Sequence, residues 1–298
     1  MKLGLTDTIK LKWRCIPIKN KTERHKVRDA FLDEIVKKRV TKEKWGVAYS
    51  VYDGEELLEA SIRSIRSEVD YICVVYQTKS WYGEPAHPEL IHLLNNLQTN
   101  QLIDELIEYI PDCNIPAGKQ ELNKRNMGLR AAQKAGCTYY MTMDTDEFYK
   151  SDDLKKAKYT IARENLTHTY CNIFTYGLSP TVFLPNYCYH CQFFSRLTKF
   201  SKHQNDSHAT AEVDPTRKLS HIPWWRGGSK YFVLPFMGMH HMSYLRKNIS
   251  KKLTNSSSKE IQNINPDLIH QSQETMQCND IFNLLPLQNQ WKQHQALR

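Results

Sequence analysis

No stretch of this 298-residue chain approaches the ~20 consecutive apolar residues of a membrane span, and residues 1–27 are too polar for the apolar region of a secretory signal. The chain is therefore expected to be cytoplasmic, with at most peripheral contact at the inner face of a membrane. Its 8 cysteines are spaced irregularly, which argues against a disulfide framework and for thiols buried in a core. No Gly-x-Gly-x-x-Gly follows the first apolar strand and no Gly-x-x-x-x-Gly-Lys occurs, so a dinucleotide fingerprint and a P-loop are excluded. Zinc-finger spacing and RNA-recognition motifs are missing as well. The net charge of +9 therefore points away from nucleic acid and towards phosphate-rich substrates or an anionic membrane surface. Basic residues concentrate at 19–39 and 246–252.

What the chain does have is Met141-Thr142-Met143-Asp144-Thr145-Asp146-Glu147-Phe148, a strand-like run leading into two carboxylates at i and i+2. At the strand's C-terminal end, alternation puts Asp144 and Asp146 on one side of the backbone, where both can share one hard cation. Ahead of the pair, residues 119–134 have a helical stripe of Leu122, Leu129 and Ala132, and Gly136 ends it. Residues 138–143 then read as a strand covered on both faces, with the acids at its carboxyl tip, where open α/β sheets bind ligands. The plainest alternative is an acidic turn before a helix starting near Ser151. An EF-hand loop requires Gly at its sixth position, where Tyr149 stands. A haloacid-dehalogenase-type phosphatase, with Asp144 as nucleophile, resembles Asp-x-Asp-x-Thr/Val, but the fifth residue here is Phe148.

A second unit lies upstream. Residues 46–52 read as a strand, Asp53-Gly54 as a turn, residues 55–66 as a helix with Leu58, Ile62 and Ile65 inward, and residues 71–76 as a second strand. This β-α-β order favours a parallel sheet with right-handed crossovers. Three blocks then stand in a specific order: Val47 to Glu56; Lys124-Arg125-Asn126-Met127-Gly128-Leu129 leading to Asp144-Thr145-Asp146; and His240-His241-Met242-Ser243-Tyr244-Leu245-Arg246-Lys247. Together they resemble the family-2-like glycosyltransferases of the GT-A fold.

The resemblance implies an α/β protein with a Rossmann-like, mostly parallel central sheet flanked by helices. Residues 44–256 would form the catalytic domain, with a nucleotide-binding part at 44–150 and an acceptor part at 151–256. A basic, partly helical extension at 1–43 and a polar tail at 257–298 would flank it. The tail's composition argues for a loosely held extension, with packing back, partner docking and membrane contact left open.

The implied activity is metal-dependent transfer of a sugar from a nucleotide-diphosphate donor to a hydroxyl of a glycan or lipid-linked acceptor. The expected course is inverting and non-processive, since no Gln-x-x-Arg-Trp is present, and the expected product is a surface glycan such as lipopolysaccharide or capsule. Asp146 would bind Mn2+ or Mg2+ directly, and Asp144 would bind it through water or hold the ribose; His240 or His241 would add a nitrogen ligand. Tyr49, Tyr52, Asp53, Glu55 and Gln77 are the base or ribose contacts this implies, and Lys119, Arg125, Arg246 and Lys247 the phosphate contacts. The general base is sought in residues 207–215, at Glu212 or Asp214.

Two motifs remain outside this scheme. Cys188 and Cys191 with His168 or Cys171 have part of a zinc-site spacing, although aromatic core packing competes with that reading. The aromatic, Gly-rich stretch 221–228 suits either a sugar-binding wall or a hydrophobic loop anchor.

Overall fold

The structure, a computed structural model, describes residues 5–184, 190–204, 216–219, 231–256 and 276–296. Its centre is Trp45–Val51 (β1), whose alternation divides the core. Trp45, Val47, Tyr49 and Val51 enter one apolar layer, while Ala48 enters the other. On the first side lie Glu55–Ile65 (α3), Leu90–Thr99 (α4) and Ser151–Glu164 (α6), which bury Leu58, Ile62, Leu94, Leu154 and Ile161. The second side is covered by Ala117–Lys134 (α5), with Leu129 and Ala132 inward.

β1 is flanked by two parallel strands, Tyr71–Tyr76 (β2) and Tyr139–Asp144 (β4), and Glu105–Glu108 (β3) extends the parallel set beyond β2. Next to β4 the sheet becomes mixed. His190–Arg196 (β8) runs antiparallel between β4 and His168–Tyr176 (β6), and Val182–Leu184 (β7) and Met276–Gln277 (β10) follow as antiparallel edge strands. Tyr231–His241 (β9) pairs parallel with β6 and antiparallel with the short Glu147–Phe148 (β5). The expected α/β fold is thus present, with four parallel strands at its heart and helices on both faces.

Both chain extensions pack on this core. Asn20 caps Lys21–Lys42 (α2) by accepting hydrogen bonds from the Thr22 and Glu23 amides, and α2 buries Phe31 and Val36 as it lies against α6. Leu5–Cys15 (α1) rests on α2. Ile249–Thr254 (α7) follows β9. Near the other end, Leu284 and Trp291, the latter on Leu285–Ala296 (α8), join Leu57, Phe148, Tyr176, Met242 and Leu245 in a third apolar cluster. Of the options open for the tail, its described part packs back.

Among the described residues no geometry supports the zinc reading. His168 Nδ1 bonds the Ser195 hydroxyl at 3.1 Å, Cys171 and Cys191 are buried in the core, and Cys188 lies outside the described residues. Stretch 221–228 also lies outside them.

One contact sets the spacing of α5 on the sheet. A Cβ added at Gly128 would stand 2.5 Å from the Ala48 Cβ, whereas one at Gly118 in the same helix meets nothing within 4 Å. Gly128→Ala is therefore expected to destabilise the protein by ~1–3 kcal/mol through overpacking, and Gly118→Ala to be neutral or slightly stabilising. Equal urea midpoints for the two variants would show that α5 does not press on β1.

Candidate active site

The carboxyl ends of β1 and β4 meet at a cluster of charge. Asp144 closes β4, and the chain turns at Thr145 and Asp146 before β5, so strand alternation stops at the first acid. The two carboxylates are consequently held by separate sets of cations. Asp144 accepts from Arg125 through both oxygens at 3.3 Å and from Arg217 at 2.6 Å. Asp146 is nearly fully buried, and its Oδ2 accepts from Arg246 at 2.8 Å and Lys252 at 2.5 Å, with His241 Nε2 3.6 Å away. Burial alone would raise the Asp146 pKa, but Lys252, Arg246 and His241 outweigh it and hold the group well below the usual carboxylate range.

Arg217 also clamps the buried Glu147, and burial's downward pull on its pKa is overcome by Glu147 and Asp144. Arg125 is buried too, its other bonds going to Thr142, Thr216 and Glu121. Arg125 therefore braces Asp144 from within the protein. Such two-carboxylate anchoring by arginine does not suit Asp144 as a free nucleophile, so nothing here favours the phosphatase alternative.

The two histidines separate cleanly. His240 is buried; its Nδ1 pairs with the Tyr176 hydroxyl at 2.8 Å, its ring packs on Phe174 and Phe282, and burial pushes its pKa down to about 4. His241, one residue on and so on the opposite side of β9, is the one beside Asp146.

The resemblance-derived nucleotide contacts also divide. Tyr49 lies on the core side of β1, its hydroxyl 2.9 Å from Ser61 Oγ, and is a packing residue rather than a ligand contact. Gln77 is fully buried, accepting from Lys124 Nζ at 3.0 Å and donating to the Lys79 carbonyl at 2.7 Å. Lys119 is exposed in the first turn of α5. Tyr52, in contrast, is half-buried just past β1, donating to the Glu84 carbonyl at 3.1 Å, with the Lys251 ammonium 5.7 Å from its ring centre. Glu212 and Asp214 lie outside the described residues.

Beside Asp146 opens a cavity of about 560 Å³ lined by Asp53, Glu55 and Glu56, by Arg246, Lys247 and Lys251, and by His87 and Trp291. Its floor depends on Gly54, whose φ of +78° begins α3. A Cβ there would come within 1.6 Å of Arg246 Nη1, so the guanidinium lies directly over the glycine. Arg246 Nε is buried and has no hydrogen-bond partner among the described residues. A strap closes one side: Lys251 Nζ donates to the Pro85 carbonyl at 3.1 Å, Asn255 Nδ2 to Glu84 at 2.5 Å, and the Tyr82 hydroxyl to the Ser256 carbonyl at 3.3 Å. α7 is thereby tied to the loop after β2.

The donors present do not fit a divalent ion as arranged. Asp146 and His241 approach each other, but Lys252 and Arg246 already occupy Asp146 Oδ2. Asp144 faces two arginines, and His240 is turned into the core. Among the described residues no three His, Cys, Asp or Glu gather as a metal site.

No family model and no curated protein matches the chain. Among solved structures it is similar to S. aureus TarS 1–349, at 13% identity over 76% of this chain and 69% of that one, with a TM-score of 0.40. The same S. aureus protein in complex with UDP-GlcNAc is 17% identical over 46% of this chain, with a TM-score of 0.32. GalNAc-T7 with UDP, GalNAc and Mn2+ is 12% identical over 70% of this chain and 46% of that one, with a TM-score of 0.40. The matched region spans 35% and 42% of two of the TarS chains. Likeness at this level leaves the chemistry to the residues of the chain itself.

Lys124 is a site residue the sequence did not single out. Fully buried on α5, it donates to the Val51 carbonyl at 2.7 Å and to Gln77, joining the ends of β1 and β2, and burial pushes its pKa down to about 7. The folded pKa thus lies below the unfolded value of ~10.4, so the unfolded chain binds more protons between those values and this group's contribution to stability rises with pH across that window. Denaturation of wild type and Lys124→Met at pH 7 and pH 10 should show wild type gaining on the variant; a constant difference would mean an unshifted lysine.

Proposed function

We propose that this chain transfers a sugar from a nucleotide-diphosphate donor to a hydroxyl of a glycan or lipid-linked acceptor. The observation that carries this reading is the cavity at the turn between β1 and α3, where Arg246, Lys247 and Lys251 face Asp53, Glu55 and Glu56. The cations suit a diphosphate, Arg246 as a fork and the lysines as point charges, while carboxylates are natural acceptors for ribose or sugar hydroxyls. Burial and the Glu56 charge raise the pKa of Glu55, which suits a group that shares protons with a hydroxyl-rich ligand.

In the reaction the bond from the anomeric carbon to the β-phosphate oxygen breaks and its electron pair stays on the nucleoside diphosphate. The acceptor oxygen bonds to the anomeric carbon from the opposite face, giving inversion, and its proton passes to a base. Glu212 or Asp214 is proposed for that base. Charge grows on the leaving diphosphate, so a cation placed there stabilises the transition state more than the bound donor. One sugar would be added per cycle, towards a surface glycan.

Assayed against a panel of nucleotide sugars, the protein should release nucleoside diphosphate from one of them, slowly with water and faster with acceptor. Arg246→Ala should lower kcat/KM by ~10²–10³-fold, the scale of losing one charged transition-state donor, while Lys119→Ala leaves it unchanged. Release of inorganic phosphate from simple esters with no diphosphate product would replace this reading with a phosphatase.

Peripheral contact with an anionic membrane is proposed through α1, where Trp13 is 73% exposed and Ile16, just past the helix, 72%, among Lys10, Lys12 and Arg14. Wild type should sediment with vesicles containing anionic lipid and Trp13→Ala should do so several-fold less. Equal sedimentation of the two would remove α1 as the contact.

A further inference from the structure

Resting on the reading above, we propose that Lys252, together with Arg246, serves as this chain's own cation for the donor diphosphate, so that donor binding requires no divalent metal. Three observations lead there.

Lys252 is anchored as a cation in a fixed place. Its ammonium donates to Asp146 Oδ2 at 2.5 Å, to the Ser243 carbonyl at 2.7 Å and to the Ser243 hydroxyl at 2.9 Å. Three acceptors use the three donors of a lysine, so its position is set by geometry rather than by side-chain drift.

Arg246 approaches the same carboxylate oxygen at 2.8 Å and spans from it to the Thr145 hydroxyl at 3.3 Å. Two cations on one acid leave the trio of Asp146, Arg246 and Lys252 with a net positive charge of one. That is the charge a divalent ion on a single carboxylate would present. A metal ion arriving at Asp146 would meet the Lys252 ammonium within a few ångströms and be strongly repelled.

The cluster also has an unfilled demand on its cavity side. Arg246 lines the cavity, its side chain is only 4% exposed, and its Nε–H is the one buried side-chain polar atom without a partner among the described residues. A buried donor left without an acceptor is costly, and a phosphate oxygen in the cavity would supply one. Lys247 and Lys251 line the same cavity. As the anomeric bond breaks, the electron pair stays on the diphosphate, and the charge that builds there faces Arg246, which lines the cavity, while Lys252, its donors spent on Asp146 and Ser243, acts through its charge alone; Asp146 holds both cations in place. In this arrangement Asp146 is a positioning residue.

The test is calorimetric titration of the full chain with UDP, GDP, CDP and ADP, each in excess EDTA and each with Mn2+. One diphosphate is expected to bind in EDTA with a Kd within about threefold of its Mn2+ value. Lys252→Met should weaken binding in EDTA at least tenfold, and Lys252→Arg, which keeps the charge, should restore most of it. Thermal melts of all three proteins separate lost binding from lost folding, and Arg246→Lys provides a second variant should Lys252→Met not fold. Because it keeps the charge but lacks Nε, it should weaken binding in EDTA several-fold. Binding at least thirtyfold tighter with Mn2+, or unchanged in Lys252→Met, would overturn the inference and leave glycosyl transfer standing. Absence of binding by every diphosphate in both conditions would overturn the reading beneath it as well.

Discussion

Burying carboxylates at the end of a parallel sheet is the constraint on which the rest of this site depends. Asp146 and Glu147 are almost inaccessible, and Asp144 lies beside them. Isolated charges in such surroundings cost several kcal/mol each, so each acid must be met by a cation and kept there. Arg125 comes from the helix that covers the sheet, Arg217 from the short described segment 216–219, Arg246 from the turn after β9, and Lys252 from α7. The path of the later chain, returning twice to the tip of β4, follows from that need. So does the glycine at position 54: the guanidinium that meets Asp146 occupies the space a side chain would fill.

Much of the parallel half of the sheet was legible because its signals are local. The strand–turn–helix unit beginning at Trp45, the helix ending at Lys134 and the strand that delivers Asp144 all follow from periodicity, with Gly54 and Gly136 marking the breaks at φ values of +78° and +74°. The same period places Tyr49. Tyr49 is odd-numbered in a strand whose odd residues face α3, so its hydroxyl reaches Ser61 instead of a ligand. Treating an aromatic at a strand end as a ligand contact ignored which face it stood on.

The remainder was hidden because it is non-local. Lys252 is 106 residues from Asp146 and Arg217 is 73 from Asp144; no pattern within either segment announces the partner. Lys252 belonged to a visible basic cluster, which gave its sign of charge but not its destination. Lys124 opens the block that runs to Leu129, yet a lysine is ordinarily a surface residue, and only the close approach of α5 at Gly128 explains how its amine comes to bridge β1 and β2. The choice between His240 and His241 required the register of β9, which sends one ring into an aromatic cluster and the other to the acid.

Trp291, on the last described helix, both packs into the third apolar cluster and lines the cavity, with the Lys247 ammonium 5.7 Å from its ring centre. The far end of the described chain is therefore a wall of the ligand chamber. A ligand in that cavity that touched Trp291 would be linked to the docking of α8, each changing the other's equilibrium by the same factor. Changes that undock α8 would thus reshape a cavity whose other wall lies more than two hundred residues away in sequence, at the turn where β1 meets α3.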